Sequence, residues 1–389
     1  MTGDESRGRE EMTTMTTPRE RPVVVLLGGP SAEHDVSVVS GWAIADALSQ
    51  AGHAVERIFI DLDGGWWSMP STAASGRPGV GSFDDPRKVG AIGPTTPARA
   101  LESMAGRYPR PVVFPALHGP FGEDGTVQAL LEAYELPYAG AGVAASAIGM
   151  DKAIFKRLVG GMGLPILEWV EVGAARWASD PDAVQRELDA FAERTGEPRL
   201  MVKPARLGSS VGMTVAHSAG DRAAALDTAF GYDTLAVVER YLDHPRELEV
   251  AVLGNDPAVI SVHGPGEVFP GREFYDYVAK YSDGVSRTTP EAGLDPQVSE
   301  RIRQMARVAY TSIGCEGFAR VDLLMSADGG IFVSEINTIP GFTPISLFPL
   351  MAATGLGDFG AVCERIVELA EERHASRVRR RLSPSDLPR

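Results

Sequence analysis

The feature of this 389-residue chain that most constrains its fold is a hairpin signal in the segment Arg320–Asn337. The pair Asp328-Gly329 lies between two apolar runs and favours a two-residue type I′ loop, in which both central residues need positive φ. Such a loop would pair Ala327 with Gly330 and would fix the register of both strands. The alternatives are a longer loop that shifts this register, or an exposed hairpin with scattered charges.

The register that this loop implies brings acidic side chains together. Asp322 would face Glu335, and Arg320 would face Asn337, all on one side of the ribbon because residues two apart share a face. Like charges directly opposite each other destabilise a sheet, so a cation is expected between the two carboxylates. Carboxylate and amide oxygens are typical ligands of Mg²⁺. The hairpin therefore predicts a site for a hard divalent cation.

Composition excludes several classes of function. The net charge of −15 at pH 7 disfavours a general nucleic-acid binder, and no apolar run reaches the length of a membrane span. The two cysteines, Cys315 and Cys363, form no disulfide framework and fit no zinc pattern, as expected in a reducing compartment. Residues 1–20 lack the apolar core of a signal peptide and are predicted to be a disordered tail, and residues 376–389 form a basic tail.

The order of apolar patterns predicts a three-domain protein of mixed α/β and α+β class. An N-terminal doubly wound domain with a parallel sheet occupies residues 21–145, and the Gly- and Pro-rich residues 63–109 within it are interpreted as a variable surface insertion. Antiparallel strand patterns predict a central α+β domain at 146–241 and a C-terminal α+β domain at 242–375. The latter contains a long loop at 264–293, whose aromatic residues and lysine indicate a lid.

Three further segments carry candidate ligands. The loop Gly208–Gly212, after a strand containing Lys203, offers amides and hydroxyls to a phosphate, although a plain hairpin loop explains it as well. Glu33 and His118 each follow a predicted strand, at the sheet edge where ligands of open α/β sheets bind. Glu33 could hold an ammonium group or cap the next helix. The segment Val238–Leu242 could receive a purine ring or simply pack in the core.

These pieces, in this order, resemble the D-alanine–D-alanine ligases of the ATP-grasp superfamily. The resemblance covers the chain from about Val23 to about Glu372 and rests on these segments: LLGGPSAEHDVSVVSG, ALHGPFGEDGTVQALLE, MDKAIFK, VKPARLGSSVG, FYDYVAKY, GFARVDLLM and EINTIPGFTPISL. It implies an ATP-grasp fold that clasps ATP and joins two D-alanine molecules through a D-alanyl phosphate, releasing ADP and phosphate for peptidoglycan synthesis. It also implies a cytoplasmic homodimer that binds neither nucleic acid nor membrane.

The resemblance assigns nucleotide and metal contacts. Asp322, Glu335 and Asn337 would hold two Mg²⁺ or Mn²⁺ ions that bridge the phosphates of ATP. The other ATP contacts would come from Lys152, Lys203, Ser210, Glu239, Tyr241, Leu242, Glu247, Phe274 and Lys280. Glu249 is the alternative to Glu247, because the spacer before it is one residue longer than in the family.

It likewise assigns catalytic and substrate contacts. The catalytic residues would be Glu33, Ser209, Tyr281, Arg320 and Ser346. Substrate would be bound by Glu33, His118, Arg320, Gly341, Ser346 and Leu347. Glu33 would hold the ammonium group of the first D-alanine, with Ser209 linking it to Tyr281. Arg320 and the amide of Gly341 would form the oxyanion site.

Two rival hypotheses remain beside this one. A specialised ligase could join other D-amino acids, although Tyr281 favours D-alanine over D-lactate as the second substrate. A nucleotide-binding regulator could have lost catalysis, but the complete set of lysines, arginine and acidic ligands argues against it. The residues Ser282–Glu291 differ from the family pattern, so lid closure is expected to differ in detail.

Overall fold

The computed structural model describes residues 22–70, 85–108, 111–269 and 287–378. Several predicted features lie outside the described residues: the tail 1–20 and the lid residues Phe274, Lys280 and Tyr281. The described elements form three β-sheets covered by helices, which confirms the prediction of a mixed α/β fold. Within these ranges, no helix is both long and apolar enough to cross a membrane.

The first sheet has five strands in the order β4-β3-β2-β1-β5. Its strands are β1 (Val23–Gly28), β2 (Val55–Ile60), β3 (Trp66–Ser68), β4 (Ile92–Thr95) and β5 (Val112–Pro115). β1 is parallel to β2 and β5, whereas β3 and β4 are antiparallel additions at one edge. The sheet is therefore mixed and not parallel throughout, and part of the region 63–109, predicted as a surface insertion, belongs to it.

Helices cover both faces of the first sheet. They are α1 (His34–Gln50), α2 (Pro97–Arg107) and α3 (Thr126–Ala133). Successive side chains of a strand point to opposite faces. Accordingly, the odd-numbered apolar residues of β1 pack in a core with α1, and Val24 and Leu26 pack in a second core with α2 and α3. The doubly wound prediction is confirmed in this respect.

The second sheet has four antiparallel strands in the order β6-β9-β7-β8. Helices α4 (Val143–Met150) and α5 (Lys152–Gly161) precede it. Its strands and helices are β6 (Trp169–Gly173), α6 (Ala174–Ser179), α7 (Pro181–Thr195), β7 (Leu200–Pro204), β8 (Thr214–Ala216), α8 (Arg222–Phe230) and β9 (Leu235–Arg240). Apolar residues of α7 and α8 cover one face, which leaves the other face, with Lys203 and Glu239, toward a cleft.

The third sheet is antiparallel, in the order β12-β11-β10-β13-β14. Its elements are β10 (Arg246–Leu253), β11 (Ser261–Phe269), β12 (Arg287–Thr289), α9 (Pro296–Ser312), β13 (Phe318–Met325), β14 (Ile331–Asn337), α10 (Leu347–Leu356) and α11 (Phe359–Val378). Two predicted limits are wrong. β11 and β12 enter the predicted loop 264–293 from both ends, and α11 continues past residue 376.

The hairpin of β13 and β14 confirms the predicted pairing at its functional end. Asp322 faces Glu335, and Arg320 faces Asn337. All four side chains are half-buried, whereas Val321 between them is fully buried on the opposite face. The polar face of the ribbon is therefore the face that the alternation of the sequence predicts.

The predicted two-residue loop of this hairpin is wrong. The turn contains residues 327–329 and is closed by Ser326 N, which donates to Gly330 O at 2.8 Å, so Ala327 does not pair with Gly330. Gly329 has φ of +86°, as three-residue hairpin turns require at that position. The extra residue shifts the pairs next to the turn, and a β-bulge on the turn side of Asp322 restores the register.

Aromatic side chains join the first sheet to the third. Phe114 of β5, Phe318 of β13, Phe342 and Phe348 of α10 pack with ring centroids 5.5 to 6.2 Å apart. All four are buried. Such pairs add about 0.5–1.5 kcal/mol each beyond the area they bury. The loop that follows β14 is thereby fixed against both sheets.

Candidate active site

A cleft between the second and third sheets gathers most of the predicted nucleotide and metal residues. Strands β7, β9, β10, β13 and β14 line it, together with the loop that follows β7 and the segment that follows β9. The predicted residues in its lining are Lys152, Lys203, Ser209, Ser210, Glu239, Tyr241, Leu242, Glu247, Arg320, Asp322 and Glu335. Asn337 lies beyond Glu335 on the same face of β14.

At one end of the cleft, two lysines enclose a buried carboxylate. Lys203 of β7 and Lys156 of α5 each place Nζ 2.7 Å from a different oxygen of Glu239 on β9. Burial opposes ionisation of Glu239, but the two ammonium groups lower its pKa to about 2. The carboxylate is therefore ionised at neutral pH. The sequence prediction did not include Lys156, although it lies one helical turn after Lys152 on α5.

Lys152 connects the glycine-serine loop to the acidic hairpin. Its Nζ donates to the carbonyl of Leu207 at 2.6 Å and lies 3.5 Å from Glu335 Oε2. The side chain is almost fully buried. An anion that entered between this loop and the hairpin would therefore meet the ammonium group directly.

The glycine-serine loop connects β7 to β8, so it is a hairpin loop as well as a candidate phosphate site. Ser209 and Ser210 have φ of 49° and 57°, and Gly212 has φ of 73°. Left-handed conformations of non-glycine residues cost about 1–3 kcal/mol each and concentrate at functional sites. The hydroxyl of Ser209 donates to the carboxylate of Glu33. The loop thus reaches from the second sheet to the first.

Arg320 neutralises part of the acidic side of the cleft. Its Nε and Nη2 donate to the two oxygens of Asp322, each at 2.6 Å, and Nε lies 3.4 Å from Glu249. Burial opposes the charge of Arg320, but Asp322 and Glu249 raise its pKa well above the usual value. Asn337 also donates to Asp322, at 3.0 Å. Arg320, predicted for the oxyanion site, and Asp322, predicted as a metal ligand, therefore form a bidentate ion pair with each other.

The acidic side of the cleft fits a hard divalent cation. Asp322, Glu335 and Asn337 present carboxylate and amide oxygens, which are the donors that Mg²⁺ and Mn²⁺ prefer. The charged residues lining the cleft are five carboxylates, Glu239, Glu247, Glu249, Asp322 and Glu335, and four cations, Lys152, Lys203, Arg240 and Arg320. A polyphosphate needs additional positive charge in such a cleft. In the described ranges no three His, Cys, Asp or Glu side chains form a group that could hold a metal ion, and the predicted set includes Asn337, whose amide nitrogen donates to Asp322.

The two candidates for the ribose carboxylate lie at different depths along β10. Glu249 faces Asp322 and contacts Arg320, whereas Glu247 faces Leu324 at the end nearer the segment that follows β9. Tyr241 belongs to that segment, and the guanidinium carbon of Arg199, just before β7, lies 4.7 Å from the centroid of its ring. Glu247 is therefore the nearer of the two carboxylates to that segment.

Glu33 lies at the edge of the first sheet, opposite the glycine-serine loop. It is the N-cap residue of α1, but its side chain makes no capping hydrogen bond. One carboxylate oxygen accepts from Ser209, and Oε2 is buried without a hydrogen-bond partner among the described residues. A Cβ added at Gly208 would lie 3.0 Å from Oε2, and one at Gly119 2.5 Å from it. Two glycines therefore keep a small space open beside an acceptor suited to an ammonium group.

His118 and Glu123 hold the loop that follows β14. His118 Nδ1 lies 2.9 Å from the carbonyl of Ile339, and Glu123 accepts from the amides of Ile339 and Gly119 at 3.0 and 2.8 Å. Burial lowers the pKa of His118, so its imidazole is neutral at neutral pH. Burial and the nearby Glu33 raise the pKa of Glu123 to about 8. Glu123 was not predicted, although it lies in the GEDG segment just after His118.

The loop after β14 also carries the remaining predicted residues. Ser346 Oγ accepts from the amide of Thr343 at 3.0 Å, and Leu347 begins α10 as a buried side chain. A Cβ added at Gly341 would lie 3.4 Å from Ser346 Oγ, so this glycine and serine adjoin. The buried ring of Phe342 anchors the loop between them. The structure thus brings Gly341, Ser346 and Leu347 into one short segment.

Known proteins are similar in sequence to this chain along almost its whole length. Family models described as the N-terminus and the C-terminus of D-ala D-ala ligase match residues 22–141 and 158–368. A D-alanine–D-alanine ligase of Heliobacterium modesticaldum is 41% identical over 374 residues, which cover 95% of this chain and 99% of the relative. One of Geobacillus thermodenitrificans is 37% identical over 362 residues, covering 90% and 96%.

Solved structures share the fold. The D-alanine-D-alanine ligase from Coxiella burnetii is 30% identical with a TM-score of 0.72, and the match covers 92% of this chain and 97% of that one. The VanG D-Ala:D-Ser ligase from Enterococcus faecalis is 28% identical with a TM-score of 0.73, covering 90% and 100%. Both family models, the near-complete overlap with the relatives and the shared fold lead to one conclusion. The chain belongs to the D-alanine–D-alanine ligase family.

Proposed function

We propose that this protein uses ATP to join two D-alanine molecules into D-alanyl-D-alanine, releasing ADP and phosphate, for peptidoglycan precursor synthesis in the cytoplasm. The observation that carries the proposal is the environment of Glu33 Oε2. This oxygen is buried without a hydrogen-bond partner among the described residues, and the other oxygen is bonded to Ser209 at the mouth of the cleft. An amino acid whose ammonium group binds there lies at the edge of a nucleotide site.

The chemistry of the cleft supports ATP as the co-substrate. Lys152, Lys203 and the loop 208–212, including Ser210, would bind the phosphates, because buried ammonium groups and close backbone amides suit them. The backbone of residues 239–242 would receive adenine, and Glu247 would bind the ribose. The direction of β10 supports this order, since Glu247 is nearer to that segment than Glu249 is.

We further propose that Asp322, Glu335 and Asn337 hold two Mg²⁺ or Mn²⁺ ions. When bound, the ions would offset the negative charge of the phosphates. The support is the set of oxygen donors on one face of the hairpin, together with five carboxylates against four cations in the lining. Beside this face, Arg320 and the amide of Gly341 would stabilise the oxyanion that forms at the acyl carbon.

The reaction would proceed in two stages. The carboxylate of the first D-alanine, held at its ammonium group by Glu33, attacks the γ-phosphate of ATP and gives D-alanyl phosphate and ADP. The amine of the second D-alanine, bound near Ser346 and Leu347, then attacks the acyl carbon, and phosphate leaves. His118, which is buried and neutral, would hold the loop after β14 through the carbonyl of Ile339. It would place no positive charge beside the first substrate.

We also propose a homodimer, on the family resemblance alone, and the three-domain ATP-grasp arrangement, with domains at 21–145, 146–241 and 242–375. The support is that the second and third sheets enclose the cleft while the first supplies Glu33. Helix α5, although it precedes the second sheet, packs partly in the core of the third. Exclusion of water from the acyl phosphate would fall to the lid residues Phe274, Lys280 and Tyr281.

A substrate-pair screen tests the proposed reaction. The protein is incubated with ATP, Mg²⁺ and pairs drawn from D-alanine, D-serine and D-lactate, while ADP is measured by a coupled assay and products by mass. D-alanyl-D-alanine as the main product supports the proposal. The likeness to VanG makes D-serine the second candidate for the acceptor, and a mixed dipeptide as the main product would replace the proposal. If none of the pairs supported ADP release, both candidate reactions would be refuted.

A further inference from the structure

At one end of the cleft, a single buried carboxylate faces two ammonium groups. Two ammonium groups, those of Lys156 and Lys203, share the single carboxylate of Glu239 at 2.7 Å each. Lys203 lines the cleft, whereas Lys156 is 1% exposed and approaches Glu239 from helix α5 behind it. Lys156 thus contacts the carboxylate from the protein interior, and Lys203 contacts it from the side open to a ligand.

Glu239 alone does not neutralise both lysines. One ammonium group neutralises a buried carboxylate, and each further buried charge is destabilising unless it is paired. Burial lowers the pKa of Lys156 despite the attraction of Glu239, and Lys203 lowers it further. Glu335 and Glu247 also attract Lys203, and a nucleotide would bring its phosphates to the same side of the pair.

We propose that Lys156 is a positioning residue for the polyphosphate, acting through Glu239. By binding one oxygen of Glu239, it prevents that carboxylate from neutralising Lys203 alone, and Lys203 keeps its net attraction for phosphate. This inference rests on the proposed function in one respect, namely that the ligand of the cleft is ATP. Without Lys156, Glu239 and Lys203 would form a neutral pair facing the phosphates.

This role predicts an effect that depends on the charge of the ligand. The loss of one charge-assisted contact weakens binding by about 10- to 100-fold, so ADP should lose affinity by that factor. Adenosine has no phosphate, and its affinity should change by less than about twofold. A variant that merely loosened the cleft would instead weaken both ligands alike.

The test is calorimetric titration of ADP and adenosine into the full-length protein and its variants at constant ionic strength. Lys156→Met should lower the ratio of ADP affinity to adenosine affinity by about 10- to 100-fold. Lys156→Met combined with Glu239→Gln removes the competing carboxylate as well and should restore the ratio. Arg157→Met is the matched control, since this neighbour on α5 forms an exposed pair with Glu171 and should leave the ratio unchanged.

Equal losses for ADP and adenosine in Lys156→Met would overturn the inference, and so would a double variant whose ratio stays as low as in the single one. If Lys156→Met does not fold, Glu239→Gln alone decides: its ratio must equal or exceed that of the wild type, and a lower ratio rejects the inference. A wild-type protein that bound neither ligand would refute the ATP site itself. A failure of the proposed function is therefore distinct from a failure of the role of Lys156.

Discussion

Alanine at position 208 would fill the space beside Glu33 without changing the charge of the site. Its Cβ would lie 3.0 Å from Glu33 Oε2 and 3.4 Å from Oε1, which occupies the volume proposed for the substrate ammonium group. The φ of Gly208 lies outside the left-handed region, so alanine adds no backbone strain. The substitution therefore isolates the ammonium contact from the folding of the loop.

The size of the effect follows from the contact that Gly208→Ala removes. A hydrogen bond to a charged group contributes about 1.5–3 kcal/mol, which corresponds to about 10- to 150-fold in binding. We expect kcat/KM for D-alanine at the first site to fall by that factor. The free energy of unfolding should change by less than about 1 kcal/mol, because no buried packing or hydrogen bond is lost and the added methyl group acts on the entropy of the unfolded chain.

The assay for Gly208→Ala is coupled ADP release with D-alanine varied at saturating ATP, alongside urea unfolding. Gly173→Ala is the control, since an added Cβ there has no heavy atom within 4 Å and its φ is also outside the left-handed region. It should leave both measurements unchanged. A kcat/KM for Gly208→Ala within about threefold of the wild type, in a stably folded protein, would refute the assignment of the ammonium group to Glu33.

Three other perturbations have definite expected outcomes. Asp322→Asn combined with Glu335→Gln should lower turnover by about 1000-fold or more while cooperative urea unfolding persists; retained turnover would contradict the metal assignment. Burial and Glu33 raise the pKa of Glu123 from 4.5 to about 8 in the folded state, so unfolding free energy should fall as pH rises through that window. Urea titrations across that pH range should show that this fall is missing in Glu123→Gln, and an unchanged slope would disprove the shift. Phe342→Ala should reduce the unfolding free energy by about 3–5 kcal/mol, because its buried ring packs between two sheets; a loss below about 1 kcal/mol would show that the cluster does not couple them.

Local sequence chemistry predicted the functional end of the hairpin better than its turn. The alternation of apolar and polar residues placed Asp322 and Glu335 on one face, and the structure confirms their pairing. The Asp-Gly signal favoured a two-residue loop, but Gly329 instead ends a three-residue turn. The pairing survives only because the bulge adds a compensating residue in β14. A bulge leaves no clear signal in one sequence, since it depends on how the neighbouring strands pack.

The residues that were not predicted act through partners that are distant in sequence. Glu123 accepts from the amide of Ile339, which is 216 residues further along the chain, and Lys156 pairs with a carboxylate on β9. Helical spacing and composition contain no information on such pairs. The antiparallel strands β3 and β4 were also not predicted, because three or four residues at a sheet edge are too few to show a period.

The bulge in the hairpin ties the length of its tip to the hydrophobic core. Because the ladder is reset between Asp322 and Leu323, Leu323 pairs with Val333, and both of these side chains are buried on one face. Deleting one residue from 327–329 and straightening the ribbon would turn Val333 and Ile331 to the opposite face, so we expect indels at the tip to be tolerated only where the bulge is kept.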